Sequence, residues 1–323
     1  MPVKWGIIST AAINAKFLAG ARRAANVEIV AVASRDHAGA ERYAREHGIG
    51  RSYAGYDALL ADRDIEAVYI SLPNALHVEW SIRALLAGKH VLCEKPLSRR
   101  AADVQRAFDL AQREGCLLME AFMYRHHPQT KRLSELVGGG AIGTVRMIRA
   151  AFSFVARSAS DVRLNAALEG GALMDVGCYC VSSARLIAGE PEQVTAQQAL
   201  GGEGVDVAFA ATMSFAGGVL AHFDAGLGLA ARDELEVVGD QGTLFLDDPW
   251  HCVAPVIELR RDAGVQPIEI EPVNSYMLEA ENMSAAVLGE APLLLGREDA
   301  LGQARAIEAL YSAAETGCAV VLD

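Results

Sequence analysis

The sequence lacks the features of membrane, nucleic-acid-binding and secreted proteins. No uninterrupted apolar run approaches the roughly 18–20 residues that a membrane-spanning helix needs. Acidic residues outnumber basic ones, 41 to 29, and the formal net charge is −12. This balance argues against nucleic acids and anionic membrane surfaces, which require a basic face. The opening MPVKWGIIS shows no basic segment, apolar core or cleavage site, so we expect a cytosolic protein.

Patterns typical of metal sites and disulfide frameworks are missing as well. The six cysteines include no C-x-x-C pair. The closest two, Cys178 and Cys180, have no further Cys or His nearby, so we interpret them as small buried side chains. His126 and His127 are adjacent and would point apart on a helix or strand. We therefore expect no metal site.

What is present is the composition of a well-packed chain with two domains. Of the 323 residues, 52% are hydrophobic and 22% are charged, which is typical of ordered globular proteins. This length exceeds one ordinary core of about 100–200 residues. Because the pattern of strands and helices changes after residue 121, we predict one domain over 1–121 and a second over 122–323.

The first domain alternates strand-like and helical segments. The strands are continuous apolar runs, as expected when helices cover both faces of a parallel sheet. We predict strands at 3–9, 27–34, 66–72, 89–93 and 116–120, and helices at 11–24, 37–47, 56–62, 75–87 and 99–114. This alternation predicts a doubly wound α/β sheet, whose ligand lies beyond the carboxyl ends of the strands.

The second domain is predicted to be α+β, with a large, mostly antiparallel sheet. In the strand at 205–215, bulky residues share one face and the other face is small: Asp206, Ala208, Ala210, Thr212 and Ser214. The small face is expected to meet another flat surface, as in a homodimer. We predict helices at 128–138, within 170–189, at 276–288 and at 297–316, a long strand at 144–156, and a meander of strands over 193–270.

Four short blocks carry most of the functional information. SLPNALHVEW (71–80), CEKPLS (93–98) and MEAFMYRHHP (119–128) each follow a predicted strand of the first domain. The fourth block, GGALMDVGCY (170–179), begins a helix of the second domain. With E-K-P, P-N-x-x-H and G-G-x-x-x-D-x-G-x-Y in this order, the chain resembles the Gfo/Idh/MocA oxidoreductases over essentially its whole length. The closest likeness is to the subgroup of dimeric dihydrodiol dehydrogenase and NADP-dependent D-xylose dehydrogenase.

The resemblance implies a dinucleotide-binding Rossmann domain and an open-faced sheet domain that often forms a dimer contact. The Rossmann fingerprint is G-x-G-x-x-G, but here GIISTAAIN (6–14) places Ser9 and Ala11 where the first two glycines belong. Both residues are small, so the helix N-terminus can still present N–H groups to a pyrophosphate. We assign the turn at 9–13 to the cofactor: Ser9, Thr10, Ala11, Ala12 and Ile13.

The end of the second strand predicts which dinucleotide is bound. An NAD-preferring enzyme would place Asp or Glu there to accept hydrogen bonds from the ribose 2′-hydroxyl. This chain has Ser34 and Arg35, which suit a 2′-phosphate. Asp36 is expected to cap the next helix. We predict NADP, with NAD possible; the alternative is that Arg35 is a solvated surface charge.

Lys95, Tyr179 and Asp175 are the candidate catalytic residues. Lys95 can hydrogen-bond the substrate oxygen and stabilise it as it becomes alkoxide-like. Asp175 and Tyr179 are spaced i, i+4, so on a helix they share a face. Lys95 and an oxidised nicotinamide should lower the pKa of the phenol from about 10. The resemblance likewise implies Tyr179 as the acid/base and Lys95 as its assistant; the alternatives are a buried aromatic and a helix N-terminal charge.

Further residues complete the predicted site. Candidate cofactor contacts are Leu72, Pro73, Asn74, His77, Glu94 and Arg125, although His77 could instead open the following helix. Candidate substrate contacts are Phe152, Phe154, Arg163 and Asn165. The predicted function is NADP(H)-dependent hydride transfer to or from a carbinol or carbonyl carbon of a sugar or cyclic polyol. A trans-dihydrodiol dehydrogenase and a non-catalytic dinucleotide sensor are the alternatives.

Overall fold

The computed structural model describes residues 1–158 and 160–322, which form two compact units. The first unit comprises Met1–Met123 and Asn274–Leu301, and the second comprises Tyr124–Val273 and Gly302–Asp323. Within the described ranges, no helix combines the length and the apolar character that a membrane crossing requires.

The first unit contains a six-stranded parallel sheet. Its alternating elements are β1 (Val3–Ile8), α1 (Asn14–Ala21), β2 (Val27–Ser34), α2 (His37–Glu46), β3 (Arg51–Ala54), α3 (Tyr56–Leu60), β4 (Ala67–Ile70), α4 (His77–Leu86), β5 (His90–Glu94), α5 (Ala101–Glu114) and β6 (Leu118–Ala121). The strand order is β3-β2-β1-β4-β5-β6, with every neighbouring pair parallel. This is the strand order of a dinucleotide-binding fold, with its ligand edge at the carboxyl ends.

Burial explains why most of these elements could be predicted. Every residue of β4 and β6 is buried, because helices cover both faces of the sheet. Phe17 of α1 stacks on Tyr69 of β4 with ring centroids 3.8 Å apart. The edge strand β3 was not among the predicted strands. Its sequence, RSYA, is short and only partly buried, so it carries no apolar run.

The second unit contains a nine-stranded mixed sheet. In chain order, the remaining elements are α6 (Pro128–Gly138), β7 (Val145–Val155), α7 (Cys178–Ala188), β8 (Pro191–Leu200), β9 (Asp206–Phe215), β10 (Leu220–Gly226), β11 (Gly228–Gly239), β12 (Thr243–Leu246), β13 (Val256–Arg261), β14 (Gly264–Glu269), α8 (Ser275–Val287), α9 (Arg297–Thr316) and β15 (Val320–Val321). The strand order is β14-β13-β12-β11-β7-β10-β9-β8-β15. Among the strands described for this sheet, β7 and β10 pair in parallel and the other neighbours are antiparallel. The predicted fold class is confirmed.

The two faces of this second sheet differ in character. On β9, Phe209, Met213 and Phe215 are buried, whereas Ala210 and Thr212 are exposed. Neighbouring strands carry polar residues on the same face as Ala210 and Thr212. One example is Arg149 of β7, which pairs with Glu236 of β11 at 2.9 Å. The predicted division of β9 therefore holds from Ala208 to Phe215, where the small residues are exposed or half-buried. It is wrong at the start of the strand, where the register shifts and Asp206, predicted on the small face, is buried.

The segment Asn274–Leu301 returns to the first unit, although sequence analysis placed it with residues 122–323. Gly20 of α1 explains how α8 packs there. A Cβ at Gly20 would lie 2.5 Å from the backbone nitrogen of Met277, so only glycine allows this approach. The indole of Trp5 donates to the Ser284 hydroxyl at 3.0 Å. Helix α9 begins in the first unit and continues in the second.

Candidate active site

The turn after β1 has a glycine-like backbone without a glycine. Ser9 has φ 122°, a conformation that L side chains rarely adopt. Its hydroxyl lies 2.7 Å from the Ser71 hydroxyl and accepts from the Ala11 N–H at 3.1 Å. Buried Asn14 donates to the Ser9 carbonyl at 3.0 Å. These contacts hold the backbone in the path that the missing glycine would have favoured.

This turn can hold a pyrophosphate through its backbone. Thr10 and Ala12 are exposed, and Ala11 and Ile13 are half-buried. Among the described residues, the N–H groups of Ala12 and Ile13 have no hydrogen-bond acceptor, as expected at the start of a helix. Unpaired N–H groups at a helix N-terminus attract anions. The residues present therefore fit a dinucleotide.

The end of β2 presents one buried hydroxyl and one exposed cation. Ser34 is 7% exposed, and its carbonyl accepts from the Gly55 N–H at 2.7 Å. Arg35 is exposed, so its guanidinium is accessible to an anion. The Asp36 carboxylate accepts from the Gly39 N–H at 2.7 Å and caps α2, as predicted. An exposed guanidinium at this strand end can bind an anion.

His77 connects the loops that follow β4 and β5. It is buried, with Nε2 2.7 Å from the Leu72 carbonyl oxygen and Nδ1 2.8 Å from the Pro96 carbonyl oxygen. Burial lowers the pKa of His77. Because both ring nitrogens face protein carbonyls, His77 braces the two loops instead of offering a ring nitrogen to a cofactor. Leu72 is buried, and Pro73 and Asn74 are half-buried at the start of this loop.

Lys95 follows β5 at the same sheet edge. β1, β4 and β5 are neighbours, so the Ser9 turn, the Asn74 loop and Lys95 all lie at the carboxyl ends of adjacent parallel strands. Lys95 is half-buried, and its N–H lies 3.3 Å from the Glu94 carboxylate. Tyr69 donates to the same carboxylate at 2.5 Å. Glu94 thus orients the loop from within the protein.

A buried carboxyl lies in the electrostatic environment of Glu94. Glu279 of α8 is fully buried, and among the described residues neither of its carboxyl oxygens has a hydrogen-bond partner. Burial, and secondarily Glu94, raise the pKa of Glu279 well above its usual range. Burial also raises the pKa of Tyr276 and Tyr69. Burial thus favours the protonated form of each of these groups.

In the second unit, Tyr179 lies within a cluster of aromatic rings. It is 7% exposed, and its ring centroid lies 5.5 Å from Phe152, 5.8 Å from Tyr124 and 6.0 Å from Trp250. Phe152 also stacks on Trp250 at 4.9 Å. The Trp250 indole donates to the Ser183 hydroxyl at 2.9 Å. These ring contacts fix the orientation of Tyr179.

The glycine pair before Tyr179 is required by close packing. Gly171 has φ 126°, and a Cβ there would lie 2.1 Å from Asp206 Oδ1. The other oxygen of this buried carboxylate accepts from the Leu173 N–H at 2.7 Å. A Cβ at Gly170 would lie 2.2 Å from the Arg163 carbonyl oxygen. The pair therefore allows Asp206 to anchor the start of the helical segment.

The segment between these glycines and α7 differs from the predicted regular helix. Leu173–Gly177 is π-helical, and such turns are frequent at functional sites. Asp175 lies in this turn, with its carboxylate 3.1 Å from Arg163 Nε. The Arg163 guanidinium also lies 5.2 Å from the Phe154 ring centroid. Three residues predicted separately are thus brought together in one contact network.

Two further predicted site residues, Arg125 and Asn165, make contacts of different kinds. Arg125 belongs to the second unit and lies 3.4 Å from the Ser182 hydroxyl. Asn165 is exposed, and its side chain accepts from the Ala167 N–H at 2.9 Å, a local turn contact. The contacts made by Ser71, Asp206 and Trp250 were not predicted, although Asp206 had been placed on the small face of β9. Their partners are distant in sequence, so no local spacing indicated them.

The first unit therefore combines a dinucleotide turn with an amine, and the second contains a phenol whose ring is held by aromatic packing. The amine can stabilise negative charge on an oxygen, and the phenol can donate or accept a proton. These are the protein groups that a hydride transfer between a nicotinamide and a carbonyl or carbinol needs.

Comparison with known proteins gives the same classification. Residues 3–122 match the oxidoreductase family with an NAD-binding Rossmann fold, GFO_IDH_MocA, and residues 130–245 match the GFO/IDH/MocA C-terminal domain. The chain is 40% identical to D-xylose 1-dehydrogenase (NADP(+)) 2 of Haloferax volcanii, covering 99% of both chains. It is 34% identical to trans-1,2-dihydrobenzene-1,2-diol dehydrogenase of Danio rerio, covering 89% of both.

A solved structure extends this likeness to the fold. The crystal structure of KijD10, a 3-ketoreductase from Actinomadura kijaniata, in complex with NADP and TDP-benzene, superposes with a TM-score of 0.92. The two chains are 33% identical, with 97% of this chain and 98% of the other covered. The chain therefore belongs to the Gfo/Idh/MocA family of NAD(P)-dependent oxidoreductases.

Proposed function

We propose that the protein is an NADP(H)-dependent oxidoreductase that transfers a hydride to or from a carbinol or carbonyl carbon of a sugar or related cyclic polyol. The observation that carries this proposal is the position of Lys95. It follows β5, beside the loop of β4 and one strand further from the dinucleotide turn of β1. An amine at this edge can act where a nicotinamide would be bound.

The cofactor is held by groups of the first unit. Backbone N–H groups at 10–13 bind the pyrophosphate, and Ser34 and Arg35 bind the 2′-phosphate. NADP(H) supplies the hydride acceptor or donor when it is bound. The relatives support this cofactor, since the Haloferax volcanii enzyme is named for NADP(+) and the ketoreductase structure contains NADP.

Lys95 is assigned to charge stabilisation and Tyr179 to proton transfer at the substrate oxygen. Lys95 hydrogen-bonds the substrate oxygen and stabilises its negative charge. Tyr179 donates a proton to that oxygen in reduction and accepts it in oxidation. Asp175, paired with Arg163, orients the polar end of the substrate, and Phe152 and Phe154 provide apolar walls. Asn74 and Glu94 complete the nicotinamide side.

The proposed substrate class is supported by the named relatives and by the mixture of polar and apolar side chains among the candidate substrate contacts. The xylose dehydrogenase and the 3-ketoreductase are named for sugar and keto-group substrates. The aromatic cluster around Tyr179 supports the alternative, a trans-dihydrodiol, as does the Danio rerio relative.

A turnover screen distinguishes these substrates. Purified protein is assayed with NADP⁺ or NADPH over aldoses, ketosugars and trans-dihydrodiols, with NAD(H) as the matched cofactor control. We expect activity on at least one sugar or cyclic polyol. Activity on the dihydrodiol alone would favour the alternative, and an absence of turnover on all three classes would overturn the proposal.

We further propose a homodimer that uses the small face of β9. Ala210 and Thr212 are exposed there. The hydroxyls of Thr195 and Thr212 lie 2.5 Å apart across β8 and β9. Because these side chains are short, the surface they form is flat. Light scattering should give about twice the chain mass of 34.3 kDa. Ala210→Arg should yield monomers, and an intact dimer in that variant would exclude this face.

A further inference from the structure

His251 lies at the solvent-accessible rim of the Tyr179 cluster and has no role in the mechanism described above. Its side chain is 41% exposed. Its ring packs edge-on against Phe152, with centroids 5.5 Å apart and an interplanar angle of 83°. Phe152 in turn lies 5.5 Å from the ring of Tyr179. The imidazole and the phenol therefore flank the same aromatic ring.

The orientation of His251 is fixed by Asp233. The Nδ1 atom is hydrogen-bonded to the Asp233 carboxylate, which is 19% exposed. Asp233 on β11 pairs with Phe152 on β7 in the sheet register, so their side chains share a face. A carboxylate that accepts a hydrogen bond from Nδ1–H keeps the proton of a neutral imidazole on Nδ1, which leaves Nε2 as an acceptor. Among the described residues, Nε2 has no hydrogen-bond partner.

The loop that carries His251 is anchored by Asp248. Its carboxylate accepts from the backbone N–H groups of His251 at 3.1 Å, Cys252 at 2.9 Å and Ala254 at 3.2 Å, and from that of Val253. The Asp248 carbonyl accepts from Gln129 at 2.9 Å. The preceding residue, Trp250, is fully buried. A loop held in this way presents His251 in one position.

A metal ion is the competing explanation for this group. Ligand atoms of Asp233, Asp248 and His251 lie within 4.8 Å of one another. However, both oxygens of Asp248 already accept backbone N–H groups, and Nδ1 of His251 is engaged by Asp233. Binding an ion would break these contacts and release the loop. The geometry favours a hydrogen-bonded pair of side chains over a metal site.

We infer that His251 is a substrate-binding residue whose Nε2 accepts a hydrogen bond from a hydroxyl of the sugar or polyol, with Asp233 as its positioning residue. The inference rests on the proposed function for the identity of the substrate. It assigns recognition of a hydroxyl to a loop that none of the predicted site residues occupies. It gives a role to the half-buried carboxylate and the exposed imidazole beside the aromatic cluster.

The kinetic test separates binding from catalysis. With EDTA-treated protein and the best substrate of the screen, His251→Ala should raise KM at least about tenfold, the loss of one good hydrogen bond. Its kcat should stay within about threefold, and His251→Gln should recover part of the affinity because its amide oxygen can accept. Asp233→Asn should also raise KM, since it disfavours the required tautomer.

Matched controls exclude a merely structural role. His222 is exposed on β10 of the same sheet, on the face opposite to Phe152, so His222→Ala should leave KM unchanged. Because His222 pairs with Thr212 on the proposed dimer face, light scattering checks that this variant keeps the wild-type oligomeric state. The melting temperature and the NADPH affinity of each variant are measured alongside. A KM for His251→Ala within about twofold of the wild-type value would overturn the inference. So would a KM change that requires added divalent metal, which would indicate the ion site instead.

A spectroscopic readout does not depend on turnover. In ¹⁵N-histidine-labelled protein saturated with NADP⁺, His251→Asn identifies the His251 signals. Titration with D-xylose should shift the Nε2 signal of His251 and leave that of His222 in place. If the screen fails but the shift occurs, the proposed reaction falls and His251 still binds polyols. If a sugar turns over without moving this signal, the reaction stands and the inference falls.

Discussion

The two units carry their functional groups in different ways. In the first, the dinucleotide turn offers backbone N–H groups at strand ends, and side chains such as Ser9 and His77 hold the backbone in place. In the second, the functional group is a side chain, Tyr179, fixed by ring packing and by the anchored turn at Gly171. A site that binds through backbone N–H groups tolerates changes of side chain, as the missing glycines show. A reaction that depends on one side chain does not tolerate its replacement.

The largest expected effect follows from removing that side-chain chemistry. Tyr179→Phe keeps the ring packing and removes the ionisable oxygen, so turnover should fall about 10²–10⁴-fold, with NADPH affinity within about threefold. Lys95→Met should also be severely impaired, and the double variant should be little worse than the worse single variant. Steady-state kinetics and cofactor titration measure both quantities.

Tyr311→Phe is the matched control for this prediction. It removes another buried phenol oxygen of the second unit, which donates to Asp206 at 2.9 Å. It should lower stability but keep turnover within about threefold of the wild-type rate. Near-normal turnover in Tyr179→Phe would place Tyr179 among the packing residues.

The second prediction compares two residues with similar backbone conformations, one in each unit. Gly171→Ala adds a Cβ that meets Asp206 and should destabilise the protein by about 1–3 kcal/mol or more. Ser9→Gly removes a Cβ at φ 122° but also the hydroxyl contacts, so its net change should stay within about 1 kcal/mol. Urea unfolding measures both. Equal destabilisation by the two changes would contradict the contrast between the units.

The third prediction concerns cofactor choice at the end of β2. The wild-type protein should bind NADPH at least about tenfold more tightly than NADH, a difference of about 1.4 kcal/mol. Arg35→Asp should reduce or reverse this ratio. Arg106→Asp, an equal charge change at an exposed residue of α5, should leave it unchanged. Equal affinities in the wild-type protein would remove the basis for assigning Ser34 and Arg35.

The smallest effect concerns the buried carboxyl of the first unit. Because the pKa of Glu279 is raised in the folded protein, the folded state keeps a proton that the unfolded chain releases above its ordinary pKa. Stability is therefore lost as pH rises from about 4.3. Glu279→Met should raise the melting temperature relative to wild type more at pH 8 than at pH 5. Thermal melts at the two pH values check this.

Glu46→Met, at an exposed position of α2, serves as the control for the Glu279 substitution. Its melting temperature should differ from the wild-type value by the same small amount at both pH values. A pH-independent gain in Glu279→Met would mean that its carboxyl is not the group that titrates.

Local sequence pattern predicted the elements that are either continuous apolar runs, such as β4 and β6, or amphipathic helices. The helices α6 and α9 lie where they were expected, and the strands β1, β2, β4, β5 and β6 lie within a few residues of the predicted runs. The motifs also indicated which strand ends carry function. The apolar runs, turn residues and motifs each occupy consecutive positions in the chain, so they can be recognised in a single sequence.

Features that depend on distant contacts could not be predicted. Ser9 adopts its strained conformation because Ser71 and Asn14 hold it. The return of α8 to the first unit depends on space at Gly20. Asp233 and His251 are 18 residues apart and meet through a hydrogen bond across a loop. No periodicity encodes such pairs, because each depends on the register of whole elements.

The acid–base role of Tyr179 is tested most directly by the pH dependence of kcat/KM for substrate oxidation. In the wild-type protein this rate should rise with an apparent pKa clearly below the value of about 10 of an ordinary phenol. The rise should disappear in Tyr179→Phe. The same rise at near-normal turnover in that variant would contradict the role, and the proton transfer would then belong to Lys95, Asp175 or a bound water.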